Sequence, residues 1–285
     1  VNFIDTYMRS GLYPVPLPAI PGVEAAGIVE AVGEGVTHLA PGDRVVYFSQ
    51  APGAYATHRA LAASSLVPLP DAIPDELAAA AWLKACTVEF LVERCARVAP
   101  GDTVLVTAAA GGVGLLLVQW LKAAGATIIA VAGSAEKQAL ASAAGATHAV
   151  GYAGMTATAR EVTGGRGVDV VIDGVGKATF EAALDSLKRR GLHISFGNAS
   201  GAVGPVDFRI LAQKGSLFAT RPTLFDYYAE PEDFAHGTSR VLAMLGNGAL
   251  SVRIGQRYPL EEAAICHRAL EGRSTVGSSL LLPGS

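Results

Sequence analysis

Ala108-Ala109-Ala110-Gly111-Gly112-Val113-Gly114 decides the fold class, because it joins a strand pattern to a helix pattern. Just before it, Thr103-Val104-Leu105-Val106-Thr107 is a β-branched run of the kind that forms a buried parallel strand. After it, Val113, Leu116, Leu117, Trp120, Leu121 and Ala124 recur at helical spacing. Glycines at such a turn let the backbone approach a pyrophosphate, and the first free N–H groups of the helix then point at the phosphate charge. The stretch is a dinucleotide-binding turn in everything but its first glycine, which is Ala109 here. Alone it is weak evidence, since any tight strand-to-helix connection could produce it.

The next strand, Thr127-Ile128-Ile129-Ala130-Val131-Ala132, adds the discriminating detail. Enzymes built for NAD usually end this strand on Asp or Glu, which bonds the ribose 2′-hydroxyl. No acidic residue lies between Ala109 and Ala135, and the strand runs into Gly133-Ser134-Ala135-Glu136-Lys137. A missing carboxylate, a small hydroxyl and a lysine suit a 2′-phosphate, which a carboxylate would repel. Lys137 has a second reading, a solvated charge that opens the following helix. Turn and strand together favour NADPH over NADH.

The chain has 285 residues, enough for two domains, and with 51% hydrophobic and 16% charged residues it can bury a large core. A net charge of −3 and the lack of any Lys/Arg-rich stretch argue against a nucleic-acid surface. Apolar runs such as Leu115–Leu121 are too short to span a bilayer, and Val1–Thr6 carries no basic leader signature. Cys86, Cys95 and Cys266 are odd in number and scattered, which fits a reducing cytoplasm rather than a disulfide framework.

The middle of the chain alternates strand and helix. A helix from about Ala135 to Ala144 is followed by strands at His148–Val150 and Val168–Ile172, the latter running into Asp173-Gly174-Val175-Gly176. A helix at Phe180–Leu187 and strands at Leu192–Phe196 and Ser216–Thr220 complete the series. The phrase Ala-Ala-Gly-Ala-Thr, at 123–127 and 143–147, reads each time as helix end, glycine cap and strand start. Such alternation implies right-handed crossovers and a parallel sheet covered on both faces, with the ligand at the carboxyl ends of the strands. The first part of the chain differs. Short alternating runs at Gly27–Gly33, Gly42–Phe48 and Ala54–Ala60, punctuated by Pro and Gly, suggest a compact barrel-like β domain.

Several segments resemble the NADPH-dependent quinone oxidoreductases, the ζ-crystallin-like, zinc-free branch of the medium-chain dehydrogenase/reductases. They are Val1-Asn2-Phe3-Ile4-Asp5-Thr6-Tyr7, Arg9-Ser10-Gly11-Leu12-Tyr13-Pro14, Pro21-Gly22-Val23-Glu24, Ala108–Gly114, Ser195-Phe196-Gly197-Asn198 and Gly277-Ser278-Ser279-Leu280. The resemblance covers the whole chain and implies an α/β fold: a Rossmann-like parallel-sheet nucleotide domain inserted in a GroES-like β-barrel catalytic domain. It places the catalytic domain at 1–85 and 225–285 and the NADPH-binding domain at 86–224, with nicotinamide and substrate in the cleft between them. It also implies β strands ahead of Val1 that are absent from this chain, and a homodimer joined edge to edge through Ser216–Thr220.

Zinc-dependent relatives carry Gly-His-Glu where this chain has Gly22-Val23-Glu24, and closely spaced cysteines for a structural zinc. This chain has no Cys-x-x-Cys, and His38, His58, His148, His193, His236 and His267 are dispersed singly, each read as structural. The expectation is an enzyme with no metal site, Glu24 serving the fold. Without a metal to polarise a carbonyl, the acceptor must itself be prone to take hydride, as a quinone or an α,β-unsaturated carbonyl is.

By resemblance, Asn2, Tyr7 and Tyr13 line the catalytic region and Thr87 lies near the nicotinamide carboxamide. Tyr7 either bonds the quinone oxygen or only packs. Tyr13 is read as packing, or as bonding cofactor phosphate or ribose. Asp5 is read as orienting Arg9, and a bound water is a candidate proton donor. The cofactor contacts implied are Gly111, Gly112, Val113 and Gly114 at the pyrophosphate. Gly133, Ser134 and Lys137 fall at the adenosine ribose and 2′-phosphate, with Tyr152 over the adenine. Phe196 and Asn198 fall at the nicotinamide ribose, and Arg273 reaches back to the 2′-phosphate.

The leading expectation is therefore a quinone reductase. One alternative is an enone or alkenal reductase of the same architecture. Another, of a different class, is an NADPH-binding protein with a structural or RNA-contacting role, which the low count of basic residues disfavours.

Overall fold

A computed structural model describes residues 1–284 apart from Arg273. The chain divides into two compact units, Val1–Ala85 with Val241–Ser285, and Cys86–Arg240. The return to the first unit thus falls later than the 225 expected from the sequence.

In the first unit, α1 (Phe3–Arg9) is followed by β1 (Glu24–Ile28), β2 (Arg44–Phe48) and β3 (Val67–Pro68), an antiparallel sheet in the order β1-β2-β3. β1 ends at Ile28, short of the run to Gly33, although Val29 still exchanges backbone bonds with Asp43 and Gly42. Val29, Leu39 and Val45 are buried with Val36, Ala63 and Leu66 packed against them. The alternating run Ala54–Ala60 is not a strand. Its start folds back instead, Tyr55 N–H donating to Pro21 O and the N–H groups of Gly53 and Ala54 to Gly22 O. Gly22 sits at φ +91°, and a Cβ there would lie 2.3 Å from the Tyr55 ring, so the turn requires glycine.

Helix α2 (Asp75–Glu89) crosses from one unit to the other and widens into a π-helical stretch over Phe90–Cys95. The second unit then alternates strand and helix. β4 (Thr103–Val106), α3 (Gly112–Ala123), β5 (Thr127–Val131), α4 (Ala135–Ala144) and β6 (His148–Val150) form its first half. After them come α5 (Met155–Val162), β7 (Val168–Asp173), α6 (Phe180–Ser186), β8 (Leu187–Ser195), α7 (Arg209–Gln213) and β9 (Phe218–Thr220). α8 (Leu224–Tyr227) and α9 (Pro231–Gly246) follow, α9 again crossing to the first unit. There β10 (Ile254–Pro259), α10 (Ala263–Glu271) and β11 (Ser278–Leu282) close the chain, β10 and β11 pairing in parallel.

The six strands of the second unit are all parallel, in the order β6-β5-β4-β7-β8-β9. The order reverses between β4 and β7, the switch point at which doubly wound sheets bind ligands outside the carboxyl ends of their strands. Every residue of β4 is buried, as a central parallel strand requires. Leu105, Ile129 and Val171 pack with Met155 and Ala159 of α5 and Ala183 and Leu184 of α6. α3 buries Leu116, Leu117, Trp120 and Leu121, each worth roughly 1.5–3 kcal/mol. The repeated Ala-Ala-Gly-Ala-Thr phrase behaves alike at both places: Gly125 (φ +77°) and Gly145 (φ +115°) end α3 and α4 in the left-handed region. β8 begins at Leu187, earlier than the Leu192 expected from the sequence.

Candidate cofactor and active site

The turn after β4 is built around one carbonyl. Gly111 N–H donates to Ala108 O at 2.9 Å. A Cβ on Gly114 would lie 2.3 Å from that oxygen and 2.7 Å from Ala109 backbone atoms. Gly114 is therefore the glycine that lets helix pack on strand. Ala109 replaces the first glycine without cost because the left-handed position is its neighbour, Ala108 at φ +50°. Ala109 is fully buried and donates to Val131 O at 3.1 Å, tying β4 to β5. No side chain caps α3, whose N-cap is Gly111 in extended conformation. Its opening residues Gly112, Val113 and Gly114 carry the N–H groups that a helix leaves without an intrahelical partner.

At the end of β5, Gly133 and Ser134 are exposed. Ser134 is the N-cap of α4, its Oγ accepting from Lys137 N–H at 3.3 Å. A Cβ on Gly133 would meet the Tyr152 ring at 3.7 Å, so ring and backbone lie side by side. Lys137 is half-buried on the first turn of α4, beside the exposed Glu136.

A third turn follows β7, and a carboxylate the sequence reading passed over organises it. Asp173 is fully buried and accepts from Thr107 Oγ1 (2.7 Å), Thr179 Oγ1 (2.8 Å) and Val175 N–H (2.9 Å). Thr107 in turn accepts from Gly174 N–H at 3.1 Å, so one threonine links the turns after β4 and β7. Burial pushes the Asp173 carboxyl up, but His193, Thr107, Val175 and Thr179 outweigh it and hold it below the usual carboxylate range. The legible signal was an aspartate ending an apolar strand directly before Gly-Val-Gly.

Phe196 and Asn198, after β8, lie on this turn. A Cβ on Gly174 would come within 2.9 Å of the Phe196 ring, and one on Gly197 within 2.3 Å of Gly174 O. Arg221, also absent from the sequence expectations, donates to Ser195 O (2.9 Å) and Gly197 O (3.2 Å). The Asn198 amide is oriented with its oxygen accepting from Arg221 and its nitrogen donating to Gly197 O, both at 3.1 Å. Thr87 is half-buried on α2.

In the first unit, Asn2 caps α1 and is buried. Its Nδ2 donates to Glu24 Oε1 at 2.6 Å, and Glu24 also accepts from Leu83 N–H (2.7 Å) and Lys84 Nζ (3.2 Å). Burial raises the Glu24 carboxyl, yet Lys84, Asn2 and the Leu83 N–H more than offset it and leave it below its ordinary value. Tyr7 and Tyr13 meet edge to face at 5.3 Å between centroids. Asp5 does not bond Arg9: it accepts from Asn2 N–H and Tyr55 OH, whereas Arg9 bonds His267 and Glu271. Arg273 lies outside the described residues.

These residues do not fit a zinc ion. Where zinc-dependent relatives have a histidine, Val23 is a buried apolar side chain, and the adjacent carboxylate, Glu24, is already paired with an ammonium. Among the described residues, Glu89, Glu93 and His236 are the one group with metal-ligand proximity. There Glu89 is bonded to Arg94 and Tyr228, and Glu93 to Trp120 and Arg240, so the anionic charge is already met. The turns after β4, β5 and β8 do fit a dinucleotide, offering uncapped helix N–H groups, bare glycines and no carboxylate at the end of β5.

The sheet order and glycine turn define the second unit as a dinucleotide-binding domain of the medium-chain dehydrogenase/reductase class. Residues 112–230 match the zinc-binding dehydrogenase family, and residues 1–71 the alcohol dehydrogenase GroES-like domain. Within that class the chain belongs to the quinone oxidoreductase family. It is 49% identical to a quinone oxidoreductase of Salmonella typhimurium, over 99% of this chain and 88% of the relative. A crystal structure of Escherichia coli quinone oxidoreductase complexed with NADPH superposes with a TM-score of 0.96 at 47% identity, covering 99% of this chain and 88% of that one. A 2-haloacrylate reductase of a Burkholderia species is 39% identical, over 99% of this chain and 88% of its own.

Proposed function

We propose that this protein is a zinc-independent oxidoreductase that takes a hydride from NADPH and delivers it to quinones. The observation that carries the reading is the carboxyl edge of the six-stranded sheet, in a chain 49% identical to a quinone oxidoreductase. Along the ends of β5, β4, β7 and β8 lie, in that order, the Gly133–Ser134 corner beside Tyr152, the uncapped α3, the Asp173–Gly176 turn and the Phe196–Asn198 loop.

When bound, NADPH supplies the hydride. Gly111, Gly112, Val113 and Gly114 hold the pyrophosphate on the positive end of α3. Ser134 and Lys137 take the 2′-phosphate, with Gly133 leaving room for the ribose and Tyr152 covering the adenine. Phe196 and Asn198 border the nicotinamide ribose, and Arg221 fixes their loop. Thr87 serves the carboxamide. Asn2 and Tyr7 serve the acceptor, whose developing oxyanion a hydroxyl or amide donor stabilises, and Tyr13 packs edge to face on Tyr7. Glu24, already paired with Lys84 and bonded by Asn2, positions rather than reacts, as does Lys84. A bound water is the proton donor in this reading, with no side chain assigned as a dedicated acid.

The resemblance to a 2-haloacrylate reductase favours a second reading, reduction of an activated carbon–carbon double bond on the same architecture. The unpaired edge at β9, where Phe218 is 61% exposed, supports a homodimer joined through that strand. The three cysteines, scattered in the sequence and outside any disulfide, suit the cytoplasm, and no helix among the described residues is long and apolar enough to cross a membrane. Initial rates of NADPH oxidation by a panel of quinones, with an alkenal and 2-haloacrylate alongside, test the reading and separate it from the second.

A further inference from the structure

A hydrogen-bonded chain runs through the first unit from its surface to a buried carboxylate. Arg9 Nη2 is paired with Glu271 at 2.6 Å, and Arg9 Nη1 lies 3.0 Å from His267 Nδ1. His267 Nε2 lies 2.8 Å from Tyr55 OH, which donates to Asp5 Oδ2 at 3.0 Å. His267 and Asp5 are almost sealed from solvent. A guanidinium can only donate, so Nδ1 must accept, the ring proton must sit on Nε2, and the Tyr55 oxygen must receive it. Every link then has one direction, from Arg9 inwards. Arg9 cannot give up a proton, so the chain is a strut and not a proton wire.

The strut ends on α1, the segment that carries Asn2 at its cap and Tyr7 and leads into Tyr13. Asp5 Oδ1 is buried with no partner among the described residues, so Asp5 is satisfied only through Oδ2, by Asn2 N–H and Tyr55 OH. Without Tyr55 the carboxylate would lose half its bonds, and a buried anion short of donors moves its backbone or takes a proton. We propose that Tyr55 and His267 are positioning residues for the reaction, holding α1, and with it Asn2 and Tyr7, in the geometry the acceptor needs. The inference rests on the quinone-reductase reading for its kinetic readout.

Protonation of His267 would place an N–H against Arg9 and break the strut. The charged and titratable groups facing the ring are Arg9 and Asp5 of α1, Tyr55, and Glu271 of α10. Burial, together with Arg9, keeps the imidazole neutral to lower pH than usual.

The test compares the wild-type protein with Tyr55→Phe, His267→Leu and His267→Gln. Glutamine can accept from Arg9 and donate to Tyr55 without titrating. Tyr55→Phe and His267→Leu are expected to raise the quinone KM about tenfold while leaving the NADPH dissociation constant unchanged. His267→Gln is expected to keep the wild-type quinone KM at neutral pH and to abolish the rise in KM that the wild type shows in acid. Amide hydrogen exchange of α1 is expected to accelerate in Tyr55→Phe. An unchanged quinone KM in Tyr55→Phe overturns the inference, as does a loss shared equally with NADPH affinity. Absence of quinone turnover in the wild type would instead sink the function reading; unchanged α1 exchange in Tyr55→Phe would then overturn the positioning role on its own.

Discussion

Glu24 and Lys84 form an ion pair at 3.2 Å with side chains only 4% and 6% exposed. Their bonds to Asn2 Nδ2 and to the Leu83 and Ala80 backbone leave little of either group unsatisfied. An ion pair this deep is held by what would follow from breaking it rather than by net attraction. Lys84→Met strands the carboxylate and is expected to destabilise the protein by about 3–5 kcal/mol. The double variant Glu24→Gln with Lys84→Met should recover most of that, which urea denaturation of the wild type and the two variants checks.

The same carboxylate sets an acid limit. Glu24 and Asp173 both have carboxyls held below their ordinary values, so their contribution is present above about pH 4 and is lost as the pH falls through their folded values. Asp5 acts in the opposite sense, its carboxyl being raised chiefly by burial. Thermal melts from pH 7 to 3 should show a falling midpoint, and the Glu24→Gln, Lys84→Met protein a shallower fall.

Ala108 holds a left-handed conformation that costs an alanine roughly 1–2 kcal/mol. Ala108→Gly is expected to raise the melting temperature by a few degrees with NADPH affinity retained. Gly114→Ala should do the reverse, since its Cβ meets backbone that cannot yield. Loss of both stability and NADPH binding is expected, read by calorimetry and fluorescence titration.

Thr107→Val removes the hydroxyl that donates to Asp173 and accepts from Gly174. The buried carboxylate and the amide each lose a partner, at about 1–3 kcal/mol. Because the threonine joins the turns after β4 and β7, the NADPH dissociation constant should rise together with the loss of stability.

Lys137→Ala is expected to weaken NADPH binding about tenfold or more and to leave NADH binding nearly unchanged. Gly112→Val should damage the binding of both, by closing the backbone approach to the pyrophosphate. Titration of each protein with both cofactors checks the pair; equal losses for Lys137→Ala would make that lysine structural.

What could be read from the residues was local and periodic. β4, α3, β5, α4, β6 and β7 each sit within a residue or so of their expected positions, because buried parallel strands and αL glycines leave contiguous signatures. Tyr55 shows the limit. Its segment alternates like a strand, but backbone bonds to Pro21 and Gly22 fold it into a turn, and no pattern within 54–60 reports those partners. Arg221 and the Arg9–His267–Tyr55–Asp5 chain were illegible for a related reason. Each gains its role from residues far away in sequence, as Thr107 does from Asp173, and spacing carries no trace of such pairs.

The most direct test of the central claim is the initial rate of NADPH oxidation by a small panel of quinones, with NADH and an alkenal run in parallel. Fast quinone turnover that prefers NADPH over NADH is predicted. Tight NADPH binding without quinone turnover would contradict the account, and turnover of the alkenal alone would move the protein to double-bond reduction.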